Sequence, residues 1–128
     1  VHSLDHMVLT VKSIPATVEF YIKQLGMKHE PSHLTSRAIS HALLFGSQKI
    51  NLHESGHEFE PKAQNVRPGS GDLCSITETP VEKVLAAFQE NGFEVGRNDL
   101  SCGYIDVRGA IGDLRSVYVR DPDGNLVE

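Results

Sequence analysis

An imidazole, two carboxylates and an amide, on His6, Asp72, Glu128 and Asn51, are the side chains of this sequence whose types suit a divalent metal ion. They become a set when the chain is slid on itself by 66 residues, which carries Gly26 onto Gly92, Val18 onto Val84 and His6 onto Asp72. The terminal hairpin 117–128 then matches 43–52 with a longer turn and brings Asn51 approximately onto Glu128. In a duplicated module, equivalent positions converge near the pseudo-twofold axis. One nitrogen donor and two anionic oxygens fit a divalent ion, because two carboxylates cancel its charge and imidazole is its commonest nitrogen ligand. His53 follows Asn51 by two residues, so a strand puts both on one face. There it can serve as a general base, a fourth ligand or a substrate contact.

The elements that must position these residues read as two copies of a βαβββ unit. Residues 4–11 alternate as a strand, with Met7, Leu9 and Val11 on one face and His6, Val8 and Thr10 on the other. Ser13 caps a helix over 14–25 that has Pro15 in its first turn, Val18, Tyr21, Ile22 and Leu25 on its apolar face, and Gly26 at its end. Strands are expected over 27–30, 38–45 and 49–53, with a polar stretch around Pro31 and a turn at Gly46. Residues 55–71, rich in Gly, Pro and charge, read as a connection whose charged side chains are solvated. The order then restarts with a strand over 72–77. A helix over 80–91 follows, capped by Thr79 and ended by Gly92, with Val81, Val84, Leu85 and Phe88 on its apolar face. Strands follow over 93–95, 115–120 and 125–128, with none placed in the turn-rich 96–113. The expectation is one α+β domain over 1–128: module 1 about 3–54, connection 55–71 and module 2 about 72–128. Its fold would be a half-open barrel of two pseudo-twofold βαβββ modules with both helices outside, because each helix has one apolar face to cover.

Composition bounds the function. The chain has 128 residues, 39% of them hydrophobic and 23% charged, which suffices for one core and argues against disorder. A net charge of −5 lacks the footprint of a nucleic-acid binder. No apolar run approaches the roughly 18 residues of a membrane span, and the first residues lack a signal-peptide layout. Cys74 and Cys102 form no framework and read as free thiols in a reducing cytoplasm, Cys74 as a small hydrophobe. Arg115 and Arg120 are candidates for an anionic substrate, with Arg120 expected rather to pair with nearby Asp121 or Asp123. The chain begins at Val1 and stops within a strand, as expected of trimmed ends.

A resemblance adds to this reading. Leu4-Asp5-His6-Met7-Val8-Leu9-Thr10-Val11, the helix with Phe20-Tyr21 and Leu25-Gly26-Met27, and Val117-Tyr118-Val119-Arg120-Asp121-Pro122-Asp123-Gly124-Asn125-Leu126-Val127-Glu128 resemble the vicinal oxygen chelate superfamily. That group includes glyoxalase I, fosfomycin-resistance proteins and extradiol dioxygenases. Through residues 49–54 and 57–63 the chain is most similar to the glyoxalase domain-containing protein 5 group and its bacterial relatives labelled virulence proteins. The resemblance implies His6 and Glu128 as metal ligands from the first and last strands, with Asp72 as the third. It implies that Tyr118 points into the cavity as a hydrogen-bond donor. Asp72 stands where a second histidine is usual, and Asn51 where glyoxalase I has a metal-binding glutamate, so Glu128 would be both ligand and base, with His53 as the other candidate base. The implied activity is a glyoxalase-type lyase or isomerase on a small molecule that chelates Zn, Ni, Mn or Fe through vicinal oxygens, with glutathione or another thiol as co-substrate. A dioxygenase fits less well, because its triad is two histidines and one carboxylate. The alternative is a non-catalytic binding protein of the bleomycin-resistance kind. A homodimer is expected in either case, from the resemblance and from the open sheet edges.

Overall fold

The computed structural model describes residues 1–33, 39–95 and 104–128. Cys102 and Ala38 lie outside the described residues. The chain divides into two compact units, 1–71 with 122–124, and 72–121 with 125–128.

The first unit runs β1 (His6–Val11), α1 (Ile14–Leu25), β2 (Lys28–His33), β3 (Ile39–Phe45) and β4 (Gln48–Glu54). Its sheet has the order β1-β4-β3-β2, with β1 and β4 parallel and the remaining neighbours antiparallel. Alternation along β1 and β4 sends Leu9, Val11, Ile50 and Leu52 into the core. His6, Val8 and Thr10 share the opposite face with Lys49, Asn51 and His53, their register partners. Ser13 caps α1, accepting the Ala16 N–H, and Gly26 in the left-handed region closes it, the Gly26 N–H donating to the Ile22 carbonyl and the Met27 N–H to the Tyr21 carbonyl. The buried face of α1 is Thr17, Phe20 and Tyr21; Ile22, expected inside, is exposed. Phe20 and Tyr21, in edge-to-face contact at 5.2 Å, claim the helix–sheet contact instead. β2 runs through Pro31 to His33, beyond the expected strand end at residue 30. It can do so because β2 is an edge strand, where the missing Pro N–H breaks no ladder bond.

The second unit runs β5 (Asp72–Leu73), α2 (Val81–Glu90), β6 (Tyr104–Arg108), β7 (Asp113–Val117), β8 (Val119–Arg120) and β9 (Leu126–Val127). It repeats the first with one interruption. β5 and β9 are parallel, as β1 and β4 are, but the strand expected over 115–120 breaks at Tyr118. The two parts serve different ladders, β6-β7 and β5-β9-β8. α2 begins at Val81, not Pro80, and Thr79 does not cap it. Pro80 occupies the cap position with an extended ψ of 134°, and the Thr79 N–H is bound to the Thr77 hydroxyl. The apolar face of α2 is as expected, with Phe88 buried and Val81, Val84 and Leu85 half-buried. Residues 93–95 form no strand. The Phe93 N–H closes the end of α2 on the Phe88 carbonyl at 3.0 Å, and the two rings meet edge to face. β5 is shorter than the expected 72–77, yet the bonds Glu128 N–H to Leu73 O and Ser75 N–H to Glu128 O continue its pairing.

The closing hairpin is tied from within. Asp121 accepts both the backbone N–H of Asn125 at 2.9 Å and its side-chain amide at 2.8 Å, and Asn125 is completely buried. This cage starts β9 at Leu126 instead of the expected 125. In the first unit, Asp123 Oδ2 accepts the Lys12 N–H at 3.0 Å. Gly69, with φ of +79°, lies so close that an added Cβ would meet the Asp123 carbonyl oxygen at 2.6 Å.

Candidate functional site

The two opening strands hold His6 and Asp72 at equivalent points. His6 is paired with Lys49, and Asp72 with Leu126. Two residues beyond those partners stand Asn51 and Glu128, so the register repeats from one unit to the other. On the second ladder, Asp72, Cys74 and Glu128 project to one face. Their proximity is chemical as well as geometric. Burial first, then the Glu128 carboxylate and more weakly Asp72, push the Cys74 thiol above its ordinary value. Cys74 is therefore protonated at neutral pH and its S–H donates to Glu128. It is exposed, against the expectation of a small buried hydrophobe. The buried Ser116 hydroxyl donates to Glu128 Oε1 at 2.6 Å.

Of these groups, Cys74 and Glu128 border an open cavity of about 430 Å³ within the second unit, whereas Asp72 and Ser116 are not part of its lining. Its polar lining is Cys74, Arg108, Tyr118 and Glu128. Its apolar lining is Ile76, Val107, Ala110, Ile111 and Leu114, with the main chain of Gly109 between them. Leu114 folds over Gly109 so closely that a Cβ there would meet Leu114 Cγ at 2.8 Å. Tyr118 is half-buried at the break between β7 and β8.

The geometry of the first unit supplies two further groups. His6 Nδ1 lies 2.6 Å from Asp5 Oδ1, and a carboxylate can only accept, so Nδ1 is the donor of this contact. This is the partnership by which carboxylates orient metal-bound histidines. His53 stands on the face of Asn51 with Phe59 edge-on at 5.2 Å. Burial lowers its pKa, the Glu58 carboxylate counteracts and Lys62 lowers it further, so its imidazole is neutral at pH 7.

A family model described as the Glyoxalase/Bleomycin resistance protein/Dioxygenase superfamily matches residues 3–128. The chain belongs to this superfamily. It is 45% identical over 125 residues to virulence protein STM3117 of Salmonella typhimurium, covering 98% of this chain and 81% of the relative. The crystal structure of that protein matches with a TM-score of 0.86 and 42% identity, over 99% of this chain and 94% of the other. The glyoxalase domain-containing protein RDO1 of Mycosarcoma maydis is 44% identical over 128 residues, all of this chain and 67% of that protein. A lactoylglutathione lyase from Agrobacterium tumefaciens shares the fold at 20% identity, with a TM-score of 0.68 over 98% of this chain and 90% of the other.

For a member of this superfamily the metal donors are the first question. Among the described residues, no three His, Cys, Asp and Glu side chains form a ready cluster for an ion. The second unit nonetheless offers a fitting pair, Asp72 and Glu128 on one strand face, with Glu128 aligned by Ser116. The first unit offers an imidazole held by a carboxylate, His6 on Asp5. Asn51, neutral, brings only an amide oxygen.

Sequence reasoning missed Ser116 and Arg108 and misjudged Arg115 and the 55–71 connection. Ser116 alternates with Tyr118, which was the available signal. Arg108 falls in the stretch where Gly and turn residues hide the strands. Arg115 is taken up by Asp106 at 3.0 Å, Glu82 at 3.3 Å and the Tyr104 ring at 5.2 Å, so it is not available for an anionic substrate. Within the connection, Glu58 is not a solvated charge. Its side chain is only 7% exposed, and the Gly56 N–H and Lys62 Nζ, both at 3.0 Å, hold its pKa down at about 2.

Proposed function

We propose that this protein is a divalent-metal-dependent enzyme of glyoxalase type, acting on a small substrate with vicinal oxygens. The observation that carries this reading is the Glu128 carboxylate. It is aligned by the Ser116 hydroxyl and the Cys74 thiol, faces the same way as Asp72, and borders a cavity shared with Tyr118.

His6, Asp72 and Glu128 are the proposed ligands, and a Zn, Ni, Mn or Fe ion there would supply Lewis acidity to a substrate carbonyl oxygen. The rest of the work belongs to the chain. Glu128 takes a proton from the substrate carbon and returns it to the neighbouring one, its carboxylate oriented by the Ser116 hydroxyl and the Cys74 thiol. The Tyr118 hydroxyl donates to a substrate oxygen. The neutral imidazole of His53 is the second candidate base. A thiol such as glutathione would enter as co-substrate in the hemithioacetal. The superfamily's name also covers sequestering proteins, and Asn51 and Asp72, in place of the usual glutamate and histidine, favour that second reading.

Metal analysis of untagged protein separates the two. Stoichiometric metal, lost in His6→Ala, with turnover of the methylglyoxal–glutathione hemithioacetal or of another vicinal-oxygen substrate, supports the enzyme. Binding of small molecules without metal or turnover supports the sequestering protein. We further propose that the protein works in the cytoplasm as a homodimer, with β1 and β2, the outer strands of the first sheet, as candidate pairing strands. Light scattering at tens of micromolar, about the range where specific dimers are formed, checks the assembly. Among the described residues no helix is long and apolar enough to cross a membrane.

A further inference from the structure

The cavity of the second unit has a polarity that metal ligands and a base do not explain. Arg108 borders it and is exposed. Among the described residues it makes no ion pair, although Asp113 is its register partner across the β6–β7 hairpin. On the same hairpin, Arg115 is held by Asp106 and Glu82. Beside this cation lie two large apolar side chains left in solvent, Ile76 at 68% and Ile111 at 92% exposure, with Leu114 between them and the hairpin main chain. An unpaired guanidinium next to uncovered aliphatic surface, in a cavity of about 430 Å³, is the lining expected for a small ligand with one charged group and an apolar body.

We propose that this cavity takes a small organic anion. Its apolar body lies on Ile76, Ile111 and Leu114, its anionic group meets Arg108, a further acceptor oxygen takes the Tyr118 hydroxyl, and a ligand hydroxyl would donate to Glu128. This names the substrate class for the site proposed above and rests on that site's location, but on neither metal nor turnover. A carboxylate, sulfonate or phosphate satisfies the guanidinium equally, through two parallel N–H···O bonds.

Two dyes that differ by a single anionic group make the test. 1-Anilinonaphthalene-8-sulfonate carries the anion, and N-phenyl-1-naphthylamine is the same skeleton without it. Fluorescence titration of the metal-free full chain should show one site per chain for both. Arg108→Gln should weaken the sulfonate about tenfold, the scale of one charge-assisted contact, and leave the neutral dye unchanged. Asp113→Asn should tighten the sulfonate alone. Ile111→Asp should weaken both, with an unchanged melting temperature showing that the fold is intact. Equal affinity of wild type and Arg108→Gln for the sulfonate would overturn the proposal. So would equal losses for both dyes, or a site that vanishes as protein concentration rises, which would mean that a second copy covers this face. The dyes need neither metal nor turnover, so an inactive, metal-free protein would sink the enzyme reading and leave this one standing.

Discussion

The two copies of the βαβββ unit keep the same pairing of opening and closing strands and differ in the strand between. In the first unit β3 runs unbroken from Ile39 to Phe45 and bonds to β2 on one side and β4 on the other. In the second, the corresponding strand stops at Tyr118, and its parts bond to different neighbours. Among the described residues the unbroken copy also has the larger core, with Tyr21, Leu43, Leu52 and Val11 wholly or almost wholly buried. Its equivalent of Glu128 is the neutral Asn51. The broken copy has fewer buried apolar side chains among the described residues, places Tyr118 beside the cavity and keeps the carboxylate. A duplicated fold can therefore divide its labour: regular pairing in one half supplies stability, while an interrupted ladder in the other exposes side chains to a ligand.

Exchanging or deleting the features that distinguish the copies tests this division. The largest effect should come from Glu128→Gln, which should lower turnover of any substrate found by about 100-fold or more, as expected of a lost ligand and base. Asn51→Ala, at the matching position, should leave it within a few-fold. Equal losses in steady-state kinetics would mean that the copies share the chemistry. Next, Leu43→Ala in the unbroken strand should cost about 2–5 kcal/mol. Val119→Ala in the broken one should cost about 1.5 kcal/mol, and urea unfolding of the two variants measures the difference. Asp121→Ala would leave the amide and N–H of the buried Asn125 without their acceptor. A loss of about 1–3 kcal/mol and faster exchange of the Asn125 amide should follow.

The smallest effect is in the loop of the first unit. The folded pKa of Glu58 is depressed to about 2 from an ordinary value of 4.5. Its carboxylate therefore stabilises the fold above about pH 4.5, and that contribution fades as pH falls toward 2. Thermal melts across this window should show the wild type losing more stability than Glu58→Gln.

Much of this architecture was legible because it follows from local chemistry. Ser13, Pro15 and Gly26 mark both ends of α1 without help from the rest of the chain. The Asp-Pro-Asp-Gly turn does the same for the last hairpin. What was not legible depended on partners. Nothing in Val117-Tyr118-Val119 announces a break, because all three residues favour strands; the break exists because the neighbours differ on either side. Phe93 looks like a strand residue until Phe88 and the end of α2 claim it. Pro31 argues against a strand unless the strand is known to lie at an edge. Of the site, His6, Asp72, Asn51 and Glu128 could be aligned by repetition, whereas Ser116 and Arg108 gain meaning only from what lies beside them.

The shared register has a consequence for how such a chain changes over time. Asp72 meets Leu126 as His6 meets Lys49, although the second copy has more chain between its opening and closing strands. That added length leaves Glu128 at the same place along its partner strand as Asn51 holds along its own. A lineage can therefore lengthen or recolour the hairpin around residues 108–113, and a designer can graft onto it, altering what is recognised without disturbing the alignment of the carboxylates.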